Sequence, residues 1–393
     1  EFVEKIADWV KSHMPINWGN LKTGRWTAEE RVEEAVNLMT ENLVDLYNAV
    51  PEKIRKAARR WYVGANKIAA DLAKRFDLTR EQAAAIIAVL SAQTDWNINL
   101  AQAYRIAQLV RDFDAGKITA VMTPAYIKAY TTSINEVHAA NLRRRLDDAG
   151  KDRKARAEAH EAYKRDQRDL KLQKKRLAGK GWNDLATLED QAALLRTYEE
   201  VEQPFAAARD KKSPRARGYG VWHPDGYQLN QMAVTDAGEI DSFKWGTVAR
   251  IASAIDLVRD GAEANIEIQL GLGAKIRSFF NNINAPSDPN SVTMDTHAIA
   301  AAFLSGLGGK SPEVLGGLSG GFATFKGLGL RGTTAIVSEA YFRAAKQVGI
   351  LPRELQSVTW VAAREMFPTK DKRGKNPSML GTGRAPRVAE VQA

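Results

Sequence analysis

Apolar residues recur at helical spacing along almost the whole chain, and no segment alternates apolar and polar positions as a half-buried strand does. The capping box Thr27-Ala-Glu-Glu30 predicts a helix that runs to about Tyr47. Pro51 predicts the first turn of a second helix, which continues through Trp61 towards Phe76. The pattern therefore predicts a mainly α protein.

A second capping box, Thr79-Arg-Glu-Gln82, precedes a run of small apolar residues at 83–90. A helix that is apolar on every side belongs inside a domain, so this segment is predicted to lie buried in the middle of the fold. Helical spacing returns at residues 243–258, 276–283, 296–304, 333–348 and 352–366, and a glycine-rich stretch at 306–332 interrupts it.

The composition changes sharply at residues 143–180, where fifteen Lys or Arg residues accompany seven Asp or Glu residues and few large apolar ones. This segment predicts a long solvated helix, one arm of an antiparallel helical hairpin whose other arm lies near residues 185–208. Two interpretations stay open: a charged face that only keeps the protein in solution, or an arm that contacts DNA.

These changes divide the chain into four predicted parts. Residues 1–140 form N-terminal helices and the first part of a helical catalytic core. Residues 141–242 form the inserted charged hairpin and an arginine- and aromatic-rich loop at 213–226. Residues 243–368 complete the core, and residues 369–393 form a basic flexible tail.

Composition excludes several kinds of chemistry. The chain has no cysteine and five histidines, so cysteine-bound metals, iron–sulfur clusters and thiolate nucleophiles are excluded, and neither a metal site nor a cofactor is expected. No apolar run approaches the roughly 18 residues that span a bilayer, and the N-terminus lacks the basic-then-apolar order of a secretory signal. A net charge of +10 favours a polyanionic partner such as nucleic acid.

The candidate chemistry is concentrated between residues 271 and 297. Gly271 and Gly273 flank a tight turn in which backbone amides can approach a DNA phosphate, and Lys275 follows at the start of a helix. Asp295, in the sequence Val-Thr-Met-Asp-Thr-His at 292–297, precedes another helix. Each feature also has a structural interpretation, a helix-linking turn for the glycines and an N-cap for Asp295.

A polar segment at residues 91–99 ends the buried helix and supplies further candidates. Gln93 and Asn99 carry amides that suit the edge of a uracil ring, and Trp96 carries a face on which a base can stack. The alternative is a capping loop with Trp96 in the core. A separate sequence, Gly-Gly-Lys-Ser at 308–311, lacks the spacing of a phosphate-binding loop, so no nucleoside triphosphate site is predicted.

The order of tight turn, lysine, helix and Val-Thr-x-Asp-x-His resembles the helix-hairpin-helix DNA glycosylase superfamily. Ile276 and Arg277 depart from that pattern, because a small Thr-Ala pair typically follows the lysine. The segments at 61–65, 88–99, 275–283 and 292–297, together with Gln356 and Trp360, resemble a bacteriophage branch of the superfamily, the α-glutamyl/putrescinyl thymine pyrophosphorylase-like proteins, also described as amino acid:DNA transferases. Residues 140–245 lie outside the resemblance.

The resemblance implies a helix-hairpin-helix glycosylase-like bundle that acts on DNA carrying pyrophosphorylated 5-hydroxymethyluracil. An amine or amino acid displaces pyrophosphate from the extruded base. In this scheme Asp295 handles the proton of the amine, and Lys275 with Arg277 balances the charge of the leaving group. The expected substrate-binding set is Gln93, Trp96, Asn99, Arg277, Asn281 and His297, and the expected DNA-binding set is Gly271, Gly273, Arg215 and Arg217.

The expected function is therefore that of a phage DNA-modifying transferase, with double-stranded DNA and an amino acid or polyamine as partners, no membrane partner, and the cytoplasm of the infected bacterial host as its location. Two alternatives stay open. One is a base-excising DNA glycosylase, in which Lys275 attacks the sugar and Asp295 stabilises the oxocarbenium ion. The other is a non-catalytic DNA-binding phage protein.

Overall fold

A computed structural model describes residues 28–91, 94–201, 218–234, 238, 240, 241, 243, 245–309, 311, 313, 314, 318, 324, 325, 330, 331 and 333–367. The described chain is mainly helical, as predicted. In chain order the helices are α1 (Ala28–Ala49), α2 (Glu52–Arg59), α3 (Trp61–Phe76), α4 (Arg80–Leu90), α5 (Trp96–Asp114), α6 (Pro124–Ala149), α7 (Arg153–Leu177), α8 (Leu188–Val201), α9 (Val248–Arg259), α10 (Glu263–Leu270), α11 (Ala274–Asn284), α12 (Thr296–Ala302), α13 (Thr333–Val348) and α14 (Pro352–Met366).

The middle of the chain forms one hydrophobic core, which we call the middle lobe. It contains α3 to α5, the adjoining ends of α6 and α7, and α8 to α11. Helix α4 lies at its centre and packs against α3, α5, α9, α10 and α11. The predicted capping box is present, because the Thr79 hydroxyl accepts from the Gln82 backbone (3.1 Å) and the Gln82 side chain accepts from the Thr79 backbone (2.8 Å). The expected buried central helix is therefore confirmed.

The two ends of the described chain meet in a second core, the terminal lobe. Helix α1 packs along α13, and α14 packs against α1, α2, α12 and α13. Its apolar residues come from α1, α2, residues 292–307, α13 and α14. A lobe built from such distant segments depends on long-range contacts, which helical periodicity alone does not specify.

The chain crosses between the lobes at a break in the helix predicted for residues 51–76. The structure divides it at Arg60 into α2 and α3. Helix α2 packs on α14 of the terminal lobe, whereas α3 packs on α4 of the middle lobe. The buried guanidinium of Arg353 donates to the carbonyl of Arg59 (3.2 Å) and to that of Pro286, which ties α14 to the end of α2 and to the segment that follows α11.

The charged helical hairpin differs from the one expected. Its arms are α6 and α7, which run antiparallel from residue 124 to residue 177 and turn at Gly150, where φ is +53°. Gln167 of α7 donates to Asn135 of α6 (3.0 Å) partway along the pair. The helix near 185–208, expected as the second arm, is α8 (Leu188–Val201), and it packs on α9 with Ala192, Ala193, Leu194 and Leu195 fully buried. The apolar run in α8 therefore places it in the core.

Two short antiparallel strand pairs interrupt the helices. Strand β1 (Gly220–His223) lies within the loop predicted at 213–226, and it pairs with β2 (Tyr227–Met232), which follows that loop. Strand β3 (Thr324–Phe325) pairs with β4 (Leu330–Arg331). The predicted tail at 369–393 lies outside the described residues. Across the described ranges, no helix combines the length and apolarity needed to cross a membrane.

Candidate functional site

A cavity of about 600 Å³ opens where the two lobes meet. The terminal lobe supplies one wall, and the middle lobe supplies the other together with the β1–β2 hairpin. The terminal-lobe lining includes Thr293, Asp295, Thr296, His297, Gln356, Ser357, Trp360, Val361 and Arg364; the opposite lining includes Trp61, Tyr62, Ser91, Thr94, Asp95, Trp96, Asn97, Asn99, Lys275, Phe279, Trp222 and Pro224. Its volume lies within the roughly 300–1,000 Å³ typical of small-molecule sites.

Asp295 is the N-cap of α12, as its structural interpretation required, and it also lines the cavity. One carboxylate oxygen accepts from the Ala298 backbone (2.7 Å), and the other accepts from the indole nitrogen of Trp360 (3.0 Å). The side chain is 18% exposed, with the His297 ring nitrogen 3.9 Å from the second oxygen. Two donors from different elements therefore fix this carboxylate beside the cavity.

The segment that carries Asp295 is itself held from both sides. Residues 291–294 are buried and lie outside helices and strands, and the Asn282 side chain of α11 hydrogen-bonds to the Thr293 hydroxyl (2.8 Å). Beyond Asp295, the Tyr341 hydroxyl donates to the carbonyl of Ala298 (3.1 Å) in the first turn of α12. The position of the carboxylate is thus determined by α11, α13 and α14 together.

Tyr62 connects the two walls. Its hydroxyl donates to the Gln356 side-chain oxygen (3.2 Å), so a phenol from α3 meets an amide from α14. Burial raises the pKa of Tyr62 well above its ordinary value, and the negative charge of Asp295 raises it further. At neutral pH the hydroxyl is therefore a neutral donor that joins the lobes beside the site.

Lys275 is the second residue of α11, directly after the turn that links α10 and α11. Gly271 adopts φ of +64°, which favours glycine, whereas Gly273 adopts an ordinary extended conformation. Lys275 lines the cavity, and within the described residues its ammonium group has no ion pair or hydrogen bond. The predicted turn and the helix that follows it are present, and they bring Lys275 to the same cavity as Asp295.

An aromatic surface forms much of the middle-lobe wall. The ring centroids of Trp61 and Trp96 lie 4.6 Å apart, and that of Phe279 lies 6.0 Å from Trp61. Trp96 is half-buried, so one part packs on this cluster while another part faces the cavity. Core packing therefore describes part of the Trp96 environment, and a role of its ring as a stacking surface stays a prediction.

Asn99 also lines the cavity, although it is 1% exposed. Its amide nitrogen donates to the carbonyl of Ile87 (3.0 Å), and its side-chain oxygen has no hydrogen-bond partner among the described residues. A buried unsatisfied acceptor is costly, and such groups concentrate at functional sites. Asn99 therefore offers an acceptor to a donor that enters from the cavity.

Two predicted substrate-binding residues do not line the cavity. The Arg277 guanidinium donates to the Glu267 carboxylate, to the Gly271 carbonyl and to the Glu267 carbonyl (3.2 Å), which fastens α11 to the end of α10. Carbonyl groups at a helix C-terminus attract a cation, so this side chain stabilises the turn. Asn281 is exposed on α11 and is likewise not part of the cavity lining, whereas its neighbour Asn282 is buried and bonds to Thr293 behind the site.

Three other predicted residues cannot be placed. Gln93, Arg215 and Arg217 lie outside the described residues. A second cation does line the cavity, because Arg364 of α14 lies 4.8 Å from the centre of the Trp360 ring. Sequence reasoning did not single out Arg364, since an exposed arginine near the end of an amphipathic helix is unremarkable without its neighbours.

The β1–β2 hairpin closes one side of the cavity with Trp222 and Pro224. The Trp222 backbone donates to the Asn97 side chain (3.0 Å), and its indole stacks on Tyr104 with centroids 5.4 Å apart. The Pro224 carbonyl approaches Gly64 so closely that a β-carbon there would lie 1.8 Å from it. The glycine in the segment at 61–65 is therefore needed for this close contact.

Among the described residues, no group of three or more His, Asp or Glu side chains is placed to hold a metal ion. The cavity lining includes the carboxylates of Asp295 and Asp95, the guanidinium of Arg364, several aromatic faces and the Lys275 ammonium, which has no ion pair among the described residues. This combination can stack a planar group, balance an anion and accept a proton.

The comparisons with known proteins give one match. Residues 27–151 and 246–367 match the sequence model of a family of unknown function, DUF7178. Searches of curated proteins and of solved structures give no match. The two matched stretches contain Lys275 and Asp295, and the interval between them contains α7, α8 and the β1–β2 hairpin. Because these stretches make up more than half of the chain, the protein belongs to this family of unknown function, DUF7178.

Proposed function

We propose that this protein is a phage DNA-modifying transferase of the helix-hairpin-helix glycosylase-like class. It displaces pyrophosphate from pyrophosphorylated 5-hydroxymethyluracil in DNA with an amine or amino acid, in the cytoplasm of the infected bacterial host. The observation that carries the proposal is the shared cavity of Asp295 and Lys275. The carboxylate is fixed by two donors, and the ammonium group is unpaired within the described residues.

Binding of the DNA is assigned to the turn at 271–273 and the α11 N-terminus. No side chain within the described residues caps α11, so its first amides are available to a phosphate. The target base leaves the duplex and enters the cavity, where the cluster of Trp61 and Trp96 offers a stacking surface. The oxygen of Asn99 accepts a hydrogen bond from the base or the incoming amine.

The reaction forms one bond and breaks one. The amine nitrogen attacks the exocyclic methylene carbon, a C–N bond forms, and the C–O bond to pyrophosphate breaks with its electron pair leaving on oxygen. Asp295 accepts the proton that the amine loses. Lys275 and Arg364 balance the charge of the leaving pyrophosphate, a role in which Arg364 replaces Arg277, because Arg277 binds the turn.

The test is incubation of the protein with duplex DNA that carries pyrophosphorylated 5-hydroxymethyluracil and a pool of amino acids and polyamines. The expected result is a nucleoside heavier by the added amine, detected by mass spectrometry, with pyrophosphate released only when an amine is present. Pyrophosphate release without an amine, or a product with no added nitrogen, contradicts the proposal.

A base-excising glycosylase is the second candidate, because the Lys275 ammonium, which has no ion pair among the described residues, shares the cavity with a carboxylate. A glycosylase that uses Lys275 as nucleophile forms a lysine–DNA adduct, which borohydride traps. The cavity volume of about 600 Å³ lies in the ordinary range for small-molecule sites and suits either reaction, so the two candidates are separated by their products. Trapping of an adduct, with loss of the base and no added amine, would favour the glycosylase.

A further inference from the structure

The α6–α7 hairpin has two unlike halves. Near its base it packs on the middle lobe: the side chains of Gln173 (3.3 Å) and Arg176 (3.0 Å) both donate to the Asp190 carboxylate of α8. Towards Gly150, α6 and α7 mainly contact each other, for example through Gln167 with Asn135 and Arg145 with Asp166. The outer half of the hairpin therefore adds little to the core, and its charge needs another explanation.

The solvent face of α7 carries a regular row of cations. Lys164, Arg168, Lys171 and Lys175 are separated by four, three and four residues, which places them on one side of a helix over about 17 Å. All four are exposed, and they lie opposite the packed residues Ala159, Leu170 and Leu177. We call these four residues the α7 basic row.

Three of the four residues of the α7 basic row have no ion pair within the described residues. Lys164 pairs with Glu161 (2.8 Å), and no ion pair engages the other three in that part of the chain. Like charges three and four residues apart destabilise a helix, and a face that served only solubility would alternate its signs. A row of like charges is instead typical of a surface that meets an external polyanion.

We infer that the α7 basic row binds the phosphate backbone of duplex DNA outside the catalytic cavity. The inference rests on the proposed function, which requires duplex DNA as substrate. Residues 143–180 hold a net charge of +8 out of +10 for the whole chain, so the long-range attraction for DNA is concentrated on this arm. The α7 basic row therefore contributes affinity for duplex DNA of any sequence, whereas the target base is selected in the cavity.

The test compares two triple variants of the full chain. Arg168→Gln, Lys171→Gln and Lys175→Gln remove three charges from the row. Lys74→Gln, Arg80→Gln and Lys346→Gln remove three exposed charges elsewhere that form no ion pair within the described residues. Binding to an unmodified fluorescent duplex is measured by anisotropy at several salt concentrations, and circular dichroism checks that helicity is retained.

Each phosphate contact contributes about 0.9 to the slope of log affinity against log salt concentration, so the row variant is expected to have a slope shallower by about 2 to 3. The control variant is expected to change the slope by less than about 1. Equal slopes for the two variants overturn the inference and leave the proposed function intact. Absence of duplex binding by the unaltered protein overturns both.

A membrane surface is the other polyanion to compare. Vesicles that contain phosphatidylserine are tested with the same variants. Binding to vesicles that depends on the row, without binding to duplex DNA, also overturns the inference.

Discussion

The two walls of the cavity differ in how their polar groups are held. On the terminal-lobe side, both oxygens of Asp295 accept hydrogen bonds, and the helix behind it is fixed by Tyr341. On the middle-lobe side, the groups include aromatic faces, together with the Lys275 ammonium and the Asn99 oxygen, neither of which has a partner among the described residues. The first wall is preorganised, and the second offers unused contacts to a ligand. Catalytic sites need both, since a fixed group can act only on a ligand that is itself bound.

The largest expected effect on the transfer rate comes from a substitution in the terminal-lobe wall. Asp295→Asn is expected to reduce amine transfer by about 10²–10⁴-fold, because a general base is lost, while Asn still caps α12. Nucleoside mass spectrometry over time gives the rate, and thermal unfolding checks the fold. Asp95→Asn is the matched control, since Asp95 also caps a helix and lines the cavity. If both variants lose activity equally, Asp295 has no special role.

Substitutions of Lys275 test the middle-lobe wall of the cavity. Lys275→Ala is expected to lower transfer by about 10²–10³-fold, because a cation that balances the leaving pyrophosphate is removed. Lys275→Arg keeps the charge and is expected to retain transfer within about tenfold, whereas a nucleophilic lysine tolerates neither change. Equal loss in both variants would remove the electrostatic role and favour the glycosylase.

Gly64 tests whether the β1–β2 hairpin is an essential part of the second wall. Gly64→Ala places a β-carbon 1.8 Å from the Pro224 carbonyl, so the hairpin or α3 must move, at an expected cost of about 1–3 kcal/mol. Chemical denaturation measures the free energy of unfolding. Gly181→Ala is the control, because the nearest atom to its β-carbon is 3.5 Å away. Unchanged stability in Gly64→Ala would show that the hairpin is not firmly docked.

The smallest expected effect is on the free energy of unfolding, and it concerns a hydrogen-bonded carboxylate far from the cavity. Asp114 accepts from Trp182 (2.6 Å) and Arg259 (2.7 Å); burial opposes ionisation, but these bonds lower the pKa of Asp114 overall. Its stabilisation is therefore present above the unfolded pKa of about 3.9 and is lost as pH falls through the folded value.

Asp114→Asn is expected to lower the free energy of unfolding by about 1 kcal/mol or less at pH 7, because the side chain is 36% exposed and solvent screens the pair. The difference from the unaltered protein is expected to shrink in acid. Chemical denaturation of the variant and the unaltered protein, at pH 7 and again at acidic pH, provides the measurement. A difference that persists unchanged in acid would show that the charge of Asp114 contributes nothing.

Local sequence determined the helices. Residues 333–348 and 352–366 were predicted as helices and match α13 and α14, and the capping box at Thr79 forms as expected. Capping and amphipathic spacing act within a few residues, so the chain itself specifies them. The same local logic predicted the turn before Lys275 and the helix after Asp295.

Tertiary structure decided which of these elements meet. Sequence spacing did not indicate that α6 and α7 would pair while α8 entered the core, or that Arg277 would bind the turn while Arg364 lined the cavity. It also did not indicate that Trp360 would donate to Asp295, 65 residues earlier. Contacts over such separations follow from how whole lobes pack. Each contact closes a long loop of the chain, and a short sequence pattern carries no information about which distant segments meet.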